Sequence, residues 1–366
     1  MTKTRKEEAG LRKPSSHDRG MSRDEFEDKY DPDEEIKFLR DKVKKAAVER
    51  ETYEKEHGSL KSLFRELRDL VPAIQPPKIS YKAPKASKVA HPIVHVSHWS
   101  DWHDGAVQEP DEVEGFRTFN PQVLRTELNN CETDQQQWCD LHRSNYVVNE
   151  RRNIVTGDLI SGGIHPELLW TNQYPVPVQA IKAGELLATL IARQAPHYQK
   201  VVVDFVTADN HGRLTKKPQC NEAGLNCWGY VTGCFAQERL RDFANVEFNL
   251  YPVIQTVIEV ASRRYLICHG DQVRGWAGFP YYGIERKMGR EAVKRMKRGQ
   301  SKFDRMVCGH WHAPLTHPWY WIGGSASGTT TYDHREGRES EPCQCAWFVH
   351  EKHGEFDRTD WNLHGD

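Results

Sequence analysis

Five short, strand-like apolar runs in this chain each end in polar residues of types that can bind metal ions. Ile93-Val94-His95-Val96 leads to Asp101 and His103. Asn153-Ile154-Val155-Thr156 leads to Gly157-Asp158. The run from Lys200 to Val206 leads to Asn210 and His211. Tyr265-Leu266-Ile267-Cys268 leads to His269, and Met306-Val307-Cys308 leads to Gly309-His310-Trp311-His312. Residues two apart in an extended chain point to the same side, so His310 and His312 can converge. Ligands in α/β sheets gather beyond the carboxyl ends of strands. A polar group at the edge of a core is costly unless it is paired. Five such endings in succession therefore point to one shared site.

The donor types narrow the chemistry. Two Asp carboxylates, one Asn carbonyl and four or five imidazoles exceed the needs of one tetrahedral ion. They suit two ions with a carboxylate shared between them. Nitrogen and oxygen donors without thiolate favour Mn²⁺, Fe, Zn²⁺ or Ni²⁺.

The runs alternate with helical patterns over about 120–145, 175–194, 228–243 and 284–299, which argues for an α/β core. That core is expected over 91–366. Residues 1–30 are polar, carry charges of both signs and read as a disordered tail. A helical arm is expected over 31–71. Asp31-Pro32 starts it, and its apolar stripes are Ile36, Leu39, Val43, Ala47 and then Leu60, Leu63, Phe64, Leu67. Helices over 32–71 can pack on the main domain, pair with a second copy, or serve as a binding module. Residues 72–90, with four Pro and four Lys, read as a basic Pro-rich linker.

The net charge of −1 gives no global pull toward nucleic acid or membrane, so any such attraction must be local. No apolar run is long enough for a membrane span. The N-terminal stretch lacks the apolar segment of a secretory signal. The nine Cys include no Cys-x-x-Cys pair, and a cytoplasmic location with reduced thiols is expected.

The series Asp101-x-His103, Gly157-Asp158, Asn210-His211, His269 and Gly309-His310-x-His312, in this order, resembles the calcineurin-like metallophosphoesterases over about 91–330. Within that superfamily it is most similar to phage-type members and, more distantly, to double-strand-break-repair nucleases. The resemblance implies a two-sheet β-sandwich flanked by helices. It implies that Asp101, His103 and His312 hold one metal, that Asp158 bridges, and that Asn210, His269 and His310 hold the second. His211 would be a non-ligand acid that protonates the leaving oxygen, or would help to orient the phosphate. The family usually has Gly before the Asn-His pair and an acid after it. Here Asp209 precedes and Gly212 follows, which leaves His211 without its usual partner. Ser161 and Gly162 stand where phosphoprotein phosphatases carry Asp and Arg, which counts against that activity.

Substrate contacts are expected from Arg213 and Arg274, which lie a few residues from ligands. Asp104 and Asp271 are candidates for fixing ligand tautomers. The segment 323–328 is either a source of backbone N–H groups for phosphate or a plain tight loop. The stretch 286–305 is strongly basic and follows Trp276, Phe279, Tyr281 and Tyr282, which suits a nucleic-acid backbone and its bases. These features point to a Mn²⁺-dependent phosphodiesterase acting as a DNA nuclease. A small-substrate phosphatase, a cyclic-nucleotide phosphodiesterase and a non-catalytic scaffold remain alternatives.

Overall fold

The computed structural model describes residues 37, 40–42, 44, 45, 48, 71–77, 91–165, 168–275 and 280–364. The chain divides into two units, 1–63 and 64–366. Of the first unit, the described residues between 37 and 48 are helical, in the span where the arm is expected. The expected tail of 1–30, the second apolar stripe of the expected arm (Leu60, Leu63, Phe64, Leu67) and residues 78–90 of the expected linker lie outside the described residues.

Two sheets form the second unit. The first has six strands: β1 (Pro92–Trp99), β2 (Val147–Val155), β3 (Lys200–Val206), β4 (Val246–Tyr251), β10 (Cys343–His350) and β11 (Gly354–Asn362). Their order is β11-β10-β1-β2-β3-β4, with β1 to β4 parallel and the β10–β11 hairpin antiparallel. The second sheet has five: β5 (Gln255–Val260), β6 (Arg263–Cys268), β7 (Arg305–Cys308), β8 (Leu315–Thr316) and β9 (Tyr320–Ile322). Their order is β5-β6-β7-β9-β8, with β6, β7 and β9 parallel. This is the two-sheet architecture flanked by helices that the resemblance implies.

Side-chain alternation builds the layers. Along β6, Tyr265 and Ile267 face the first sheet, where they meet Val96, Ile154, Val206, Trp347 and Val349. Leu266 and Cys268 face the other way, toward Ile284 and Met288 of helix α4 (Tyr281–Lys297). Along β3, Val201, Val203 and Phe205 pack under α1 (Pro121–His142), α2 (Val176–Gln194) and α3 (Trp228–Arg239). A period of two is what a strand buried on both faces requires. The order of layers is helix, sheet, sheet, helix.

Local chemistry sets the helix ends. Asn120 caps α1 by accepting from the N–H groups of Gln122 and Val123, and Pro121 fills the first turn. α3 stops at Arg239, short of the expected 243, and Val71-Pro72 docks there: the Arg239 and Arg241 guanidinium groups donate to the Pro72 and Val71 carbonyls. Parallel strands β1, β2, β3, β6 and β7 all point their carboxyl ends to one edge of the sandwich, and the loops leaving that edge carry the expected ligands.

Candidate metal centre

Five loops meet at this edge and are stitched to one another through the backbone. The Asp101 N–H donates to the Gly157 carbonyl and the His103 N–H to that of Asp158, both at 3.1 Å. The Gly309 N–H donates to the His269 carbonyl at 2.9 Å, and the Ala326 N–H to that of Asp101 at 2.9 Å. Ser325 donates its N–H to the His312 carbonyl. The Gly/Ser segment 323–328 is thus a tight loop that clamps two ligand carriers, with these N–H groups already spent.

Backbone conformation at the site is unusual. Asp101, His103, Asp158, His310 and His312 all have positive φ, between 49° and 73°. Asp and His are among the few side chains that tolerate this left-handed region, which is otherwise sparsely used. Such strain persists only where surrounding contacts hold it, and it clusters at functional sites. Gly309 is required for another reason. A Cβ there would overlap Asp101 Oδ2 and lie 2.5 Å from Ser100 Oγ. Gly162 (φ +71°) is held against the His211 carbonyl, which a Cβ would strike.

The structure brings all seven expected ligands and His211 together. Ligand atoms of Asp101, His103 and His312 lie within 4.8 Å of one another, as do those of Asp158, His269 and His310, and those of His103, Asp158 and His211. Asn210 joins the second trio, its Oδ1 standing 2.8 Å from His269 Nε2. Asp101 is anchored by the His310 N–H at 3.0 Å and by Ser100 Oγ at 2.6 Å.

Tautomers show what these residues fit. His269 Nδ1 lies 2.9 Å from the Thr156 carbonyl, which can only accept, so Nδ1 carries the proton. Its Nε2 then faces two more acceptors, Asp158 Oδ2 at 3.0 Å and Asn210 Oδ1. His312 Nδ1 donates to Asp333 Oδ2 at 2.9 Å, and its Nε2 meets His103 Nε2 at 3.1 Å. His211 Nδ1 donates to the Ser161 carbonyl at 2.6 Å, and its Nε2 turns toward Asp158 Oδ2 at 4.0 Å. Acceptor atoms converging in this way need a cation between them, a proton on His269 Nε2 or a divalent ion in its place. Pinning the outer nitrogen is how metal-binding imidazoles are oriented, so this donor set fits divalent ions.

The electrostatics agree. Burial opposes charge on His269, yet the Asp158 and Asp101 carboxylates outweigh it and hold its pKa well above the ordinary value. Burial likewise opposes charge on Asp158, but His269 and His211 hold that carboxyl well below its usual range. Burial keeps His103 and His310 neutral, reinforced by neighbouring imidazoles. Paired groups perturbed this strongly are typical of functional sites.

Several supporting residues are not where the sequence suggests. Asp333, in the short helix α5 (Thr331–Arg335), fixes the His312 tautomer, while Asp104 instead accepts from Tyr174 and, at 3.0 Å, from Arg125. Asp271 accepts from Gln272 rather than from an imidazole. Asp209 accepts the Asp158 and Gly212 N–H groups, at 3.0 and 2.6 Å, and so ties two ligand loops together. Burial and Asp158 push its carboxyl up to about 7. The Arg213 guanidinium donates to the Thr215 and Lys216 carbonyls, and Arg274 is exposed. Trp276 and Phe279 lie outside the described residues.

No family model matches the sequence, and no curated protein matches it. Solved structures give distant likenesses. A single mutant of Vps29 from Entamoeba histolytica is 12% identical over 73% of this chain and 99% of its own, with a TM-score of 0.29. Chaetomium thermophilum Vps29 is 11% identical over 74% and 100%, with a TM-score of 0.28. The calcineurin-like phosphoesterase YfkN from Bacillus subtilis is 11% identical over 75% and 91%, with a TM-score of 0.28. Among the described residues, no helix is long and apolar enough to cross a membrane.

Proposed function

We propose that this chain is a metal-dependent phosphoesterase that holds two divalent ions. The observation that carries the reading is the convergence of acceptor atoms. His269 Nε2, with its other nitrogen committed to the Thr156 carbonyl, faces Asp158 and Asn210 oxygens at 3.0 and 2.8 Å. Asp101, His103 and His312 would hold one ion, Asn210, His269 and His310 the other, with Asp158 shared. Two such ions, when bound, supply an activated water and charge stabilisation for in-line displacement at phosphorus. The donor set, without thiolate, suits Mn²⁺, Fe, Zn²⁺ or Ni²⁺, and manganese is the ion to test first.

The substrate reading is a phosphodiester of DNA. It is supported by the outer face of α4. Glu291 takes up Lys294 and Arg295, and Glu355 takes up Arg305. Arg286, Arg290, Lys297 and Arg298 are exposed. The first turns of α4 lie beside the His269 loop, where Lys287 Nζ meets Gln272 Oε1 at 2.9 Å. A basic face on the helix that follows the His269 loop suits a polyphosphate backbone. Exposed Arg274, on that same loop, is the better-placed clamp, because Arg213 must first release its carbonyls.

An activity screen with Mn²⁺ tests this, using phosphomonoester and phosphodiester reporters and single- and double-stranded DNA, with Asp158→Asn as control. Equal activity in that variant would end the two-ion reading. Reversing Arg290, Lys297 and Arg298 should weaken DNA binding and flatten its salt dependence. Hydrolysis of reporters with DNA left intact would move the assignment to a small substrate.

A further inference from the structure

One peptide group joins the candidate centre to the helix layer. The Ser161 carbonyl and the Gly162 N–H are the two ends of a single planar unit. The carbonyl accepts the His211 Nδ1 proton at 2.6 Å, and the N–H donates to Gln179 Oε1 at 2.8 Å. Gln179 lies in the first turn of α2 and is fully buried. Its Nε2 donates in turn to the Tyr174 carbonyl at 3.0 Å. Three hydrogen bonds in series therefore run from the backbone before α2 to the His211 ring. An amide side chain supplies an acceptor and a donor at once, as its two neighbours here require.

The links in this series have little room to shift. The Ser161 N–H donates to the Asp104 carbonyl at 3.0 Å, and Asn172 Nδ2 donates to the Gly162 carbonyl at 2.6 Å. Gly162 lies against the His211 backbone, where a Cβ would strike the carbonyl. Gly105, with φ +106°, closes on the other side of Gln179: a Cβ there would lie 2.6 Å from Gln179 Cδ.

The series sets the direction of His211. With Nδ1 committed as a donor, Nε2 is the nitrogen that faces the centre. It lies 4.0 Å from Asp158 Oδ2, and ligand atoms of His211, His103 and Asp158 fall within 4.8 Å of one another. The outer nitrogen is held by a backbone carbonyl rather than by an acidic side chain. A carbonyl cannot turn without its peptide, so the group that holds the peptide N–H sets the aim of the ring.

We propose that Gln179 is a positioning residue for the reaction: through the Ser161–Gly162 peptide it holds the His211 ring with Nε2 toward the substrate. This rests on the phosphoesterase reading, in which His211 acts on the phosphate at the centre.

The test is a double-mutant cycle in the full chain loaded with Mn²⁺, read as kcat on a phosphodiester reporter. NMR of the His211 ring nitrogens in the metal-free chain goes with it. Gln179→Met keeps the shape and loses both hydrogen bonds. It should lower kcat about tenfold, as a small misplacement of a reacting group does, with manganese content unchanged. His211→Ala should lower kcat about 100-fold or more. In that background Gln179→Met should change kcat by less than about twofold, because a residue that acts through His211 has nothing left to position. Gln179→Glu, whose buried carboxyl when protonated offers the same acceptor and donor, should regain most of the parent rate. The parent ring should show one tautomer, protonated at Nδ1, and the Met variant a mixture of two. If Gln179→Met does not fold, Gln179→Asn, which draws the amide back by one methylene, carries the same expectations.

Losses that multiply in the double variant reject the inference, because they indicate packing rather than positioning. A parental kcat or an unchanged tautomer in Gln179→Met also rejects it. Full activity in His211→Ala rejects it and leaves the phosphoesterase reading intact. A parent that hydrolyses no phosphoester overturns that reading, and the inference with it.

Discussion

Asp333 Oδ2 accepts the Nδ1 proton of His312 across 2.9 Å, and this contact decides which nitrogen of His312 faces Asp101. The carboxylate is itself held by Thr330 Oγ1 at 2.6 Å and by Arg338 at 3.0 Å. Burial opposes its charge, but His312, Thr330 and Arg338 together outweigh burial and keep Asp333 ionised. An ionised partner makes the far nitrogen a stronger donor to metal.

Asp333→Asn keeps the shape and removes the charge. We expect the first ion, which Asp101, His103 and His312 would hold, to bind about 10- to 100-fold more weakly. The second ion should be little affected. Metal titration followed by calorimetry resolves the two. Two unchanged affinities would show that Asp333 only caps its helix.

Gly309 offers a steric test. Its missing Cβ is the space in which Asp101 Oδ2 and Ser100 Oγ sit. Gly309→Ala must push the β7 loop and the β1 loop apart. Overpacking of this kind costs about 1–3 kcal/mol. We expect a lower midpoint in urea together with reduced metal content. Full metal content in a variant of normal stability would mean that the loops separate without cost.

Acid should destabilise the fold through two buried imidazoles. Burial, with Arg151 and Arg143 nearby, holds His95 well below its ordinary pKa, and burial with Arg358 lowers His98 to about 3. Both are neutral in the folded chain at neutral pH, whereas the unfolded chain protonates them near pH ~6.5. Above that pH neither affects stability. Below it the unfolded state binds more protons, and each group removes up to about 1.4 kcal/mol per pH unit until its folded pKa is reached. Denaturant midpoints between pH 8 and 4, about the range these values span, should fall on the acid side. The fall should be shallower in His98→Gln. An identical slope in that variant would exonerate His98.

The sandwich and the centre were legible for one reason. Strands buried on both faces are continuous β-branched runs, and their ends mark the ligand loops. Lys200–Val206 is a strand in the sequence and in the structure. Asp333 was not legible, because Thr330-x-x-Asp333 looks like any helix-capping box, and here it is also one. The first half of β2 was missed as well. Val147-Val148-Asn149-Glu150-Arg151-Arg152 is too polar to read as a strand at the centre of a sheet, and only tertiary partners explain it.

Those partners make the last prediction. Arg151 is fully buried and forms a two-pronged pair with Glu132 of α1, at 3.0 and 2.7 Å. Ser97 Oγ and Gln135 Oε1 lie 2.9 Å from the same guanidinium, and Gln194 donates to Glu132 at 2.9 Å. The network fastens α1 to β1 and β2, the strands that lead to Asp101 and Asp158. Arg151→Met alone strands a buried carboxylate and should cost about 3–5 kcal/mol. Adding Glu132→Leu should recover much of that loss, because an apolar pair of similar volume has no charge left to desolvate. Urea unfolding of the two single variants and the double variant gives the coupling directly. Additive losses would mean that the two side chains act independently, and that β2 is held in place by its backbone ladder alone.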